Sequence, residues 1–319
     1  MTHEQNPSPA ERPMIETRGL RLSVGDFLSI HDLTLRVERG QIHGLVGPLG
    51  SGKSSTLKAL AGMVPIQSGQ AWIDGLDVAV SGAKARARIG YMPGFLGAYD
   101  DLRVRDYLEF FAKACQVDPA AAGPRIDRLL ELAGLTDRAA AFIQTLDAET
   151  RHRLAVVKAA VHDPPVLLFD EPAVGLPVSA RIRLRRLIGE LAAQGGKTVL
   201  ICSNILTDLL GLCHRLGIMH GGKLIASGPT DAIAPRLTGA RVLELQASGP
   251  AEELKRLLAA HPAIGEVHAQ GDRVVGSLAG DVDDPGTVVH DLIAQGARIA
   301  AFREHQVDLG LLVGQRVRG

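Results

Sequence analysis

The sequence predicts an α/β fold in which a mostly parallel sheet carries a phosphate-binding loop, followed by a smaller domain of strands and helices. Three observations support this prediction. Gly-Pro-Leu-Gly-Ser-Gly-Lys-Ser at 47–54 lies between a strand pattern and a helix pattern. The apolar run at 166–169 is unbroken and is followed by Asp170 and Glu171. From Arg241 onward the pattern predicts the order β-α-β-β-α-β, which is the ferredoxin-like split motif.

The composition indicates a globular protein of about two domains. Of 319 residues, 46% are hydrophobic and 22% are charged. Lys+Arg and Asp+Glu both number 35, so the net charge gives no argument for a nucleic-acid partner. No apolar run approaches the roughly 20 residues that span a bilayer, and Cys115, Cys202 and Cys213 lack metal-ligand spacing. These features favour a cytoplasmic protein with reduced thiols.

The first third of the chain alternates strand and helix patterns. Residues 1–14 are expected to be a loose tail, and 15–40 to be β-rich, since 15–17 and 33–37 alternate apolar and polar side chains. Residues 41–46 predict a strand before the loop, and 54–63 predict a helix after it. Residues 71–93 predict a strand, a loop and a second strand.

The middle of the chain changes character. Residues 103–160 predict a helical insertion, with Pro124 in the first turn of its second helix. The run at 166–169 predicts a central parallel strand that is covered on both faces. The elements that follow are a helix at 181–194, a buried strand at 198–202, a helix at 206–212, and a strand at 216–219 that turns into 223–226.

A Pro-containing stretch at 229–239 marks a domain boundary. We therefore predict a tail at 1–14, a first domain at 15–235 and a C-terminal accessory domain at 240–319. The helical insertion forms a subdomain of the first domain at about 95–160.

The stretch at 47–54 matches G-x-x-x-x-G-K-[ST], the phosphate loop. Its glycines let successive backbone N–H groups point at one polyanion, and the helix that follows adds its positive dipole end. Lys53 can reach the β- and γ-phosphates, and the Ser54 hydroxyl can ligate Mg²⁺. A glycine-rich turn that binds nothing is the alternative, but the flanking strand and helix favour binding of a nucleoside triphosphate. The predicted binding residues are Gly47, Pro48, Leu49, Gly50, Ser51, Gly52, Lys53, Ser54 and Ser55.

Asp170 and Glu171 follow the apolar strand at the edge where open α/β sheets bind ligands. Asp170 is placed to hold Mg²⁺ through water, and Glu171 is placed to polarise the attacking water as the catalytic residue. A strand that ends in a solvated turn is the alternative interpretation. The phosphate loop upstream favours the catalytic one.

With these motifs, residues 15–235 resemble the ATP-binding subunits of ABC transporters, in the branch that exports drugs and polysaccharides. The segments that carry the resemblance are 47–55 and 166–172, and 88–93, 99–108, 162–165 and 217–229 are also typical of the family. The resemblance implies that two such subunits sandwich two ATP molecules and drive an integral-membrane permease. It implies a place on the inner face of the cell membrane, and the C-terminal appendage is similar to that of the exporter branch.

The chain departs from the family pattern at five places. The nucleotide-stacking aromatic falls on Val24, and the Gln that senses Mg²⁺ falls on Gly94. The signature Leu-Ser-Gly-Gly-Gln falls on Leu-Asp-Ala-Glu-Thr at 146–150, and Gly-Leu-Asp becomes Gly-Leu-Pro at 175–177. The switch His falls on Asn204, whose amide can still donate a hydrogen bond to a γ-phosphate but carries no proton.

The acids in the signature segment have the clearest physical consequence. Two like charges ~4 Å apart repel by ~1 kcal/mol in water and by ~4 kcal/mol at an effective dielectric constant of about 20. An ordinary hydrogen bond contributes only ~1 kcal/mol. We therefore expect Asp147 and Glu149 to repel a γ-phosphate unless they turn away. Asp147 also suits the N-cap of a helix at 148–162, and Glu149 suits its first turn.

Two functions follow from the resemblance and the departures. One is an exporter ATPase subunit that uses Glu171 and turns over slowly at its own site. The other is a catalytically weak, regulatory partner of a competent ATPase subunit. In either case this chain pairs with a second ATP-binding subunit. That subunit is a second copy of this chain or, as the departures favour, a different chain. A soluble P-loop protein acting on nucleic acid or the ribosome fits less well, because the charge is balanced and no basic run is present.

Overall fold

The computed structural model describes residues 12–24, 27–94, 97, 101–233, 241–278 and 284–306. The chain divides into two compact units, Met1–Thr230 and Asp231–Gly319. This division falls inside the stretch at 229–239 that the sequence predicts as a boundary. The exact limits at 235 and 240 stay a prediction, because residues 234–240 lie outside the described residues.

The first unit alternates strands and helices. Its strands are β1 Ile15–Val24, β2 Phe27–Val37, β3 Ile42–Val46, β4 Ser68–Ile73, β5 Leu76–Asp77, β6 Ile89–Met92, β7 Val166–Asp170, β8 Thr198–Ser203, β9 Arg215–His220 and β10 Lys223–Pro229. Its helices are α1 Lys53–Leu60, α2 Gly82–Arg86, α3 Val104–Ala114, α4 Pro119–Leu132, α5 Ala148–Ala159 and α6 Val178–Ala193. Across the described part of the chain, no helix is both long and apolar enough to cross a membrane.

The central sheet has the strand order β10-β9-β3-β8-β7-β6, in which all neighbouring strands are parallel except the antiparallel pair β9–β10. All five residues of β7 are buried, as an apolar strand inside a parallel sheet requires. The carboxyl ends of β3, β7 and β8 lie along one edge of the sheet. The phosphate loop, the Asp170–Glu171 pair and Asn204 therefore all begin at the edge where α/β sheets bind ligands.

A second, antiparallel sheet has the order β2-β1-β4-β5. It shares one core with α1 and the central sheet. Leu22 and Ile73 from the antiparallel sheet, Leu57 from α1, and Leu45 and Leu168 from the central sheet belong to this core, and none of them is exposed. Helix α1, which begins directly after the phosphate loop, is thus packed between the two sheets, and this packing holds the loop in place.

Helices α3 to α5 form the predicted helical insertion. Leu108 on α3 and Leu130 on α4 are buried, as the helical spacing predicts. Helix α4 begins at Pro119, and the Asp118 side chain caps it by accepting from the Ala120 N–H at 3.0 Å. Pro124 lies inside this helix, so its predicted place in the first turn is wrong. The Asp118–Pro119 pair supplies a stronger helix start, because it combines an N-cap with proline at the first position.

Two further predictions are wrong in part. The helix expected at 206–212 is a single 3₁₀ turn at Leu206–Asp208, because the Asp208 side chain turns inward to Ser203 and Gly211 takes a φ of 73°. The predicted tail at 1–14 ends too late. The Met14 side chain is only 2% exposed, and its N–H donates to the Val37 carbonyl at 2.9 Å. Residues 1–11 lie outside the described residues.

The second unit has the predicted order β-α-β-β-α-β. Its elements are β11 Arg241–Ala247, α7 Ala251–Ala260, β12 Ile264–Gln270, β13 Arg273–Leu278, α8 Pro285–Ala294 and β14 Ile299–Gln306. The strands form an antiparallel sheet in the order β12-β13-β11-β14, which is the split β-α-β arrangement. Leu245, Leu258 and Leu292 form part of its own core. The segment 307–319 lies outside the described residues.

Candidate functional site

The phosphate loop leaves the carboxyl end of β3 and enters α1 at Lys53. Gly50 and Gly52 have φ angles of 77° and 97°, which favour glycine. A Cβ atom at Gly47 would lie 2.1 Å from the carbonyl oxygen of Met219, so no larger residue fits there. The loop therefore needs its glycines both for backbone conformation and for close approach to the neighbouring strand.

The Lys53 side chain is folded back into the loop that precedes it. Its Nζ donates to the carbonyl oxygens of Gly47 at 2.7 Å and Pro48 at 3.0 Å. The same ammonium lies 3.7 Å from Oε1 of Glu171, and the Lys53 side chain is only 5% exposed. Because an ammonium presents three donors around one compact charge, it can contact a phosphate oxygen as well as these carbonyls.

Ser54 and Asp170 meet across the end of the sheet. The Ser54 hydroxyl donates to Oδ1 of Asp170 at 2.8 Å. Burial raises the pKa of the Asp170 carboxyl, and the hydrogen bond from Ser54 opposes that rise. Hydroxyl and carboxylate oxygens are hard ligands that suit a Mg²⁺ held jointly with phosphate and water. No group of three or more His, Cys, Asp or Glu among the described residues could hold a metal ion.

Glu171 is held in an uncommon backbone conformation, with a φ of 47°. Its N–H donates to the Cys202 carbonyl at 2.9 Å, and its Oε2 accepts from the Asn204 N–H at 3.1 Å. Burial raises the pKa of the Glu171 carboxyl, while the Asn204 hydrogen bond and the Lys53 charge lower it. Left-handed backbone at a non-glycine residue costs of order 1–3 kcal/mol, and such strain clusters at functional sites.

The remaining predicted binding residues line the same loop. Ser51 is buried and its Oγ lies 3.5 Å from Lys53 Nζ, whereas Leu49 is 84% exposed. The Ser55 hydroxyl lies 2.5 Å from that of Ser29. Asn204 contacts Glu171 through its backbone, and the predicted phosphate contact of its side chain stays a prediction. The structure thus brings Lys53, Ser54, Asp170 and Glu171 together, with Asn204 behind Glu171.

Known proteins resemble this chain in sequence and fold. Residues 30–174 match a family model described as ABC transporter. The Nod factor export ATP-binding protein I of Cupriavidus pinatubonensis is 34% identical over 239 residues, which cover 75% of this chain and 73% of that protein. The chain belongs to the ATP-binding subunits of the ABC transporter family.

Two further comparisons support the assignment of this chain to the ABC transporter family. The linearmycin resistance ATP-binding protein LnrL of Bacillus subtilis is 30% identical over 236 residues, covering 74% of this chain and 76% of that protein. A solved structure of an ATP binding subunit of an ABC transporter superposes with a TM-score of 0.63 at 27% identity, covering 70% of this chain and 92% of that one. The predicted family and its α/β fold are confirmed.

In this ABC subunit, Gly94 lies beside the predicted metal-binding pair. A Cβ atom there would be 3.3 Å from the Asp170 carbonyl oxygen and 3.8 Å from its Cγ. Glycine therefore leaves a position next to Asp170 without any side-chain donor or acceptor. The side chain of Val24 lies outside the described residues, so its contact with the nucleotide base stays a prediction.

The acids of the signature segment of the ABC subunit have partners within the chain. Asp147 caps α5, with its Oδ1 accepting from the Thr150 N–H at 2.7 Å, and this hydrogen bond lowers the pKa of its carboxyl. Glu149 accepts from Arg183 Nε at 2.7 Å and from Nη2 at 2.6 Å. The Arg183 hydrogen bonds lower the pKa of Glu149. The predicted cap is confirmed, and both acids are hydrogen-bonded within their own subunit.

Sequence reasoning missed the arginines of α6. Arg183 donates hydrogen bonds to Glu149, although it lies 34 residues further along the chain. Arg181 reaches the Leu176 carbonyl and the carboxylate of Asp208, 27 residues away. Spacing within one helix reveals contacts three or four residues apart, and these contacts join different elements. Only the excess of arginines in 181–186 was visible in the sequence of the ABC subunit.

Proposed function

We propose that this subunit binds MgATP through 47–55 and hydrolyses it slowly with Glu171, to drive a separate membrane permease. The observation that carries the proposal is the convergence of Lys53, Ser54, Asp170 and Glu171 at one edge of the central sheet. Each of these side chains has the chemistry that its part in phosphoryl transfer requires.

The roles follow from position. The loop N–H groups and the Lys53 ammonium bind the β- and γ-phosphates. Ser54 and Asp170 are the residues that would hold Mg²⁺, and the bound ion would neutralise charge on the phosphate oxygens. Glu171 polarises the attacking water, and its carboxylate is oriented by the Asn204 N–H on one oxygen and the Lys53 ammonium near the other.

Slow turnover is proposed because groups that would complete the site are missing or negative. Gly94 places no side chain beside Asp170, and Asn204 cannot carry a proton as His can. Asp147 puts negative charge where a partner's γ-phosphate would approach, and Glu149 is held by Arg183 instead of being available to a phosphate. We therefore propose a heterodimer, in which a competent second ATP-binding subunit supplies a neutral signature segment to this chain's own site.

Export is the proposed direction of transport. One relative is named for Nod factor export and another for linearmycin resistance. The permease would hold this subunit at the inner face of the cell membrane, and the permease would select the cargo.

The test is ATP binding and turnover by the purified full-length chain. Lys53→Ala should abolish ATP binding, because the loop then lacks its cation. Glu171→Gln should keep binding and lose turnover by about 10²-fold or more, since general base catalysis contributes that much. Lys113→Ala and Glu190→Gln change exposed residues on α3 and α6 and serve as matched controls. Absence of ATP binding by the wild-type chain would refute the proposal.

A regulatory, catalytically weak subunit is the second candidate. The pairing of Glu149 with Arg183 favours it, because the signature segment is then engaged within its own subunit. ATP binding without measurable single-turnover hydrolysis, alone and with a second ATP-binding subunit, would favour this candidate over the first.

A further inference from the structure

Arg181 on α6 joins two loops that flank Glu171. Its Nε donates to the Leu176 carbonyl oxygen at 2.7 Å. Its Nη1 lies 3.4 Å from each carboxylate oxygen of Asp208. Leu176 lies in the turn between Glu171 and α6, and Asp208 follows the loop that contains Asn204. One guanidinium therefore ties the segment after β7 to the segment after β8.

Asp208 extends this connection to the end of β8. Its Oδ2 accepts from the Ser203 hydroxyl at 3.3 Å, and the Ser203 hydroxyl accepts from the Ile205 N–H at 3.0 Å. Between these two residues, the Asn204 N–H donates to Oε2 of Glu171 at 3.1 Å. The loop at 203–205 is thus fixed from one side by Arg181 and Asp208, and it holds the Glu171 carboxylate on the other.

Burial makes the connection stiff. Asp208 is only 8% exposed, and the Arg181 side chain is 21% exposed. A buried carboxylate without its cation is strongly disfavoured, so the pair resists separation. Arginine suits the position because its planar fork can serve a carbonyl and a carboxylate at once, which a lysine ammonium on a flexible stem cannot do in the same geometry.

We propose that Arg181 is a positioning residue for ATP hydrolysis, acting through Asp208 and the loop at 203–205 to hold the Glu171 carboxylate in place. The inference rests on the proposed function of Glu171, and it adds Arg181 as a residue that holds the Glu171 carboxylate in position. A displacement of the turn at 175–177 reaches Glu171 through Arg181, because the same guanidinium holds both loops.

The coupling is tested by hydrogen–deuterium exchange of the full-length chain without nucleotide. Arg181→Gln should raise amide exchange in 175–176 and in 203–206 together, by about tenfold, which is the loss of roughly one hydrogen bond. Arg185→Gln is the matched control, because Arg185 Nη1 donates to the Thr207 and Leu210 carbonyls at 2.7 and 2.8 Å from the same helix. It should leave 175–176 unchanged. Faster exchange in only one of the two segments of Arg181→Gln overturns the coupling.

The positioning role is tested by single-turnover hydrolysis. Arg181→Gln should slow hydrolysis about 10- to 100-fold, as a misplaced catalytic group does, while the Kd for ATP stays within about twofold. Arg181→Lys should recover part of the rate, because its ammonium still pairs with Asp208. The double variant Arg181→Gln, Asp208→Asn should hydrolyse ATP no more slowly than the slower of the two single variants, since both residues act through one connection. A wild-type rate in Arg181→Gln, or an equal loss of ATP affinity, overturns the role.

These outcomes separate this inference from the proposed function. If the wild-type chain fails to hydrolyse ATP, the assignment of Glu171 fails and the positioning role fails with it. The exchange experiment needs no nucleotide, so it still decides whether Arg181 couples the two loops.

Discussion

The loop side and the signature side of this ABC subunit use their charged groups in opposite ways. On the loop side, Lys53 lies 3.7 Å from Glu171, and Ser54 donates one hydrogen bond to Asp170. These groups converge on the ligand edge of the sheet. On the signature side, Asp147 caps its own helix, and Arg183 holds Glu149 through two hydrogen bonds. The acids of the signature segment therefore stabilise the structure of their own subunit, whereas the charged groups of the loop side face one another at the ligand edge of the sheet.

The largest effect is expected on the loop side, where lowering the pH should reduce the free energy of unfolding. β3 leads into the phosphate loop and buries His43, whose pKa is lowered to about 4, first by burial and then by the Arg215 charge. Neither ring nitrogen has a hydrogen-bond partner in the described structure. The unfolded chain takes up this proton near pH 6.5, so stability is lost as the pH falls from 6.5 to about 4. That difference corresponds to about 3 kcal/mol.

Urea unfolding at pH 7 and pH 4.5 measures this loss. His43→Leu should lose less stability between the two pH values than the wild-type chain. His290→Leu is the control, because the His290 side chain is 84% exposed and should leave the acid sensitivity unchanged. If His43→Leu and wild type lose the same stability in acid, His43 does not link the loop side to pH.

An intermediate effect is expected from Asp170→Asn. Loss of an outer-shell partner typically lowers metal affinity 10- to 100-fold. The gain in ATP affinity on adding Mg²⁺ should therefore be about 10- to 100-fold smaller in Asp170→Asn than in the wild type. Titration calorimetry with ATP, in Mg²⁺ and in EDTA, measures the difference. Asp137→Asn changes an exposed carboxylate and is the matched control. An unchanged Mg²⁺ response in Asp170→Asn would remove Asp170 from the predicted metal site.

The smallest effect is expected on the signature side. Asp147→Ser with Glu149→Gly should tighten ATP-driven association of subunits severalfold, because two negative charges leave the region of the phosphate. Sedimentation in the Glu171→Gln background measures association without turnover. Asp147→Ser keeps an N-cap oxygen for Thr150, whereas Asp147→Ala should cost about 1 kcal/mol of stability. Unchanged association in the double variant would show that repulsion is not what limits dimer closure.

Local patterns predicted where the residues of the loop side lie in the fold. The glycines and Lys53 at 47–54 are contiguous, and the apolar run before Asp170 places both acids at a strand end. The order of elements in the second unit also follows from strand and helix periodicity. Such features depend on neighbours in the chain, and the sequence shows those neighbours directly.

Two predictions failed where a contact elsewhere in the fold competed with the local pattern, and the placement of Pro124 failed because Asp118 and Pro119 start the helix earlier. The segment 206–212 has helical spacing, yet Asp208 gives its side chain to Ser203 and Arg181 and the helix stops after one 3₁₀ turn. The sequence predicts Met14 in a tail, but its N–H donates to the Val37 carbonyl and its side chain is buried directly before β1. In these two cases a tertiary contact overrode local propensity.

The phosphate loop and the acidic strand end could be found in the sequence because each is a run of adjacent residues, and each of the five departures is a matched position or short segment of the chain. The folded structure was needed to find the side chains that contact Glu149 and Asp208. The partners of Glu149 and Asp208 are Arg183 and Arg181 of α6, which lie 34 and 27 residues away along the chain. An ion pair needs its two groups within a few ångströms, and separation along the sequence does not report that distance.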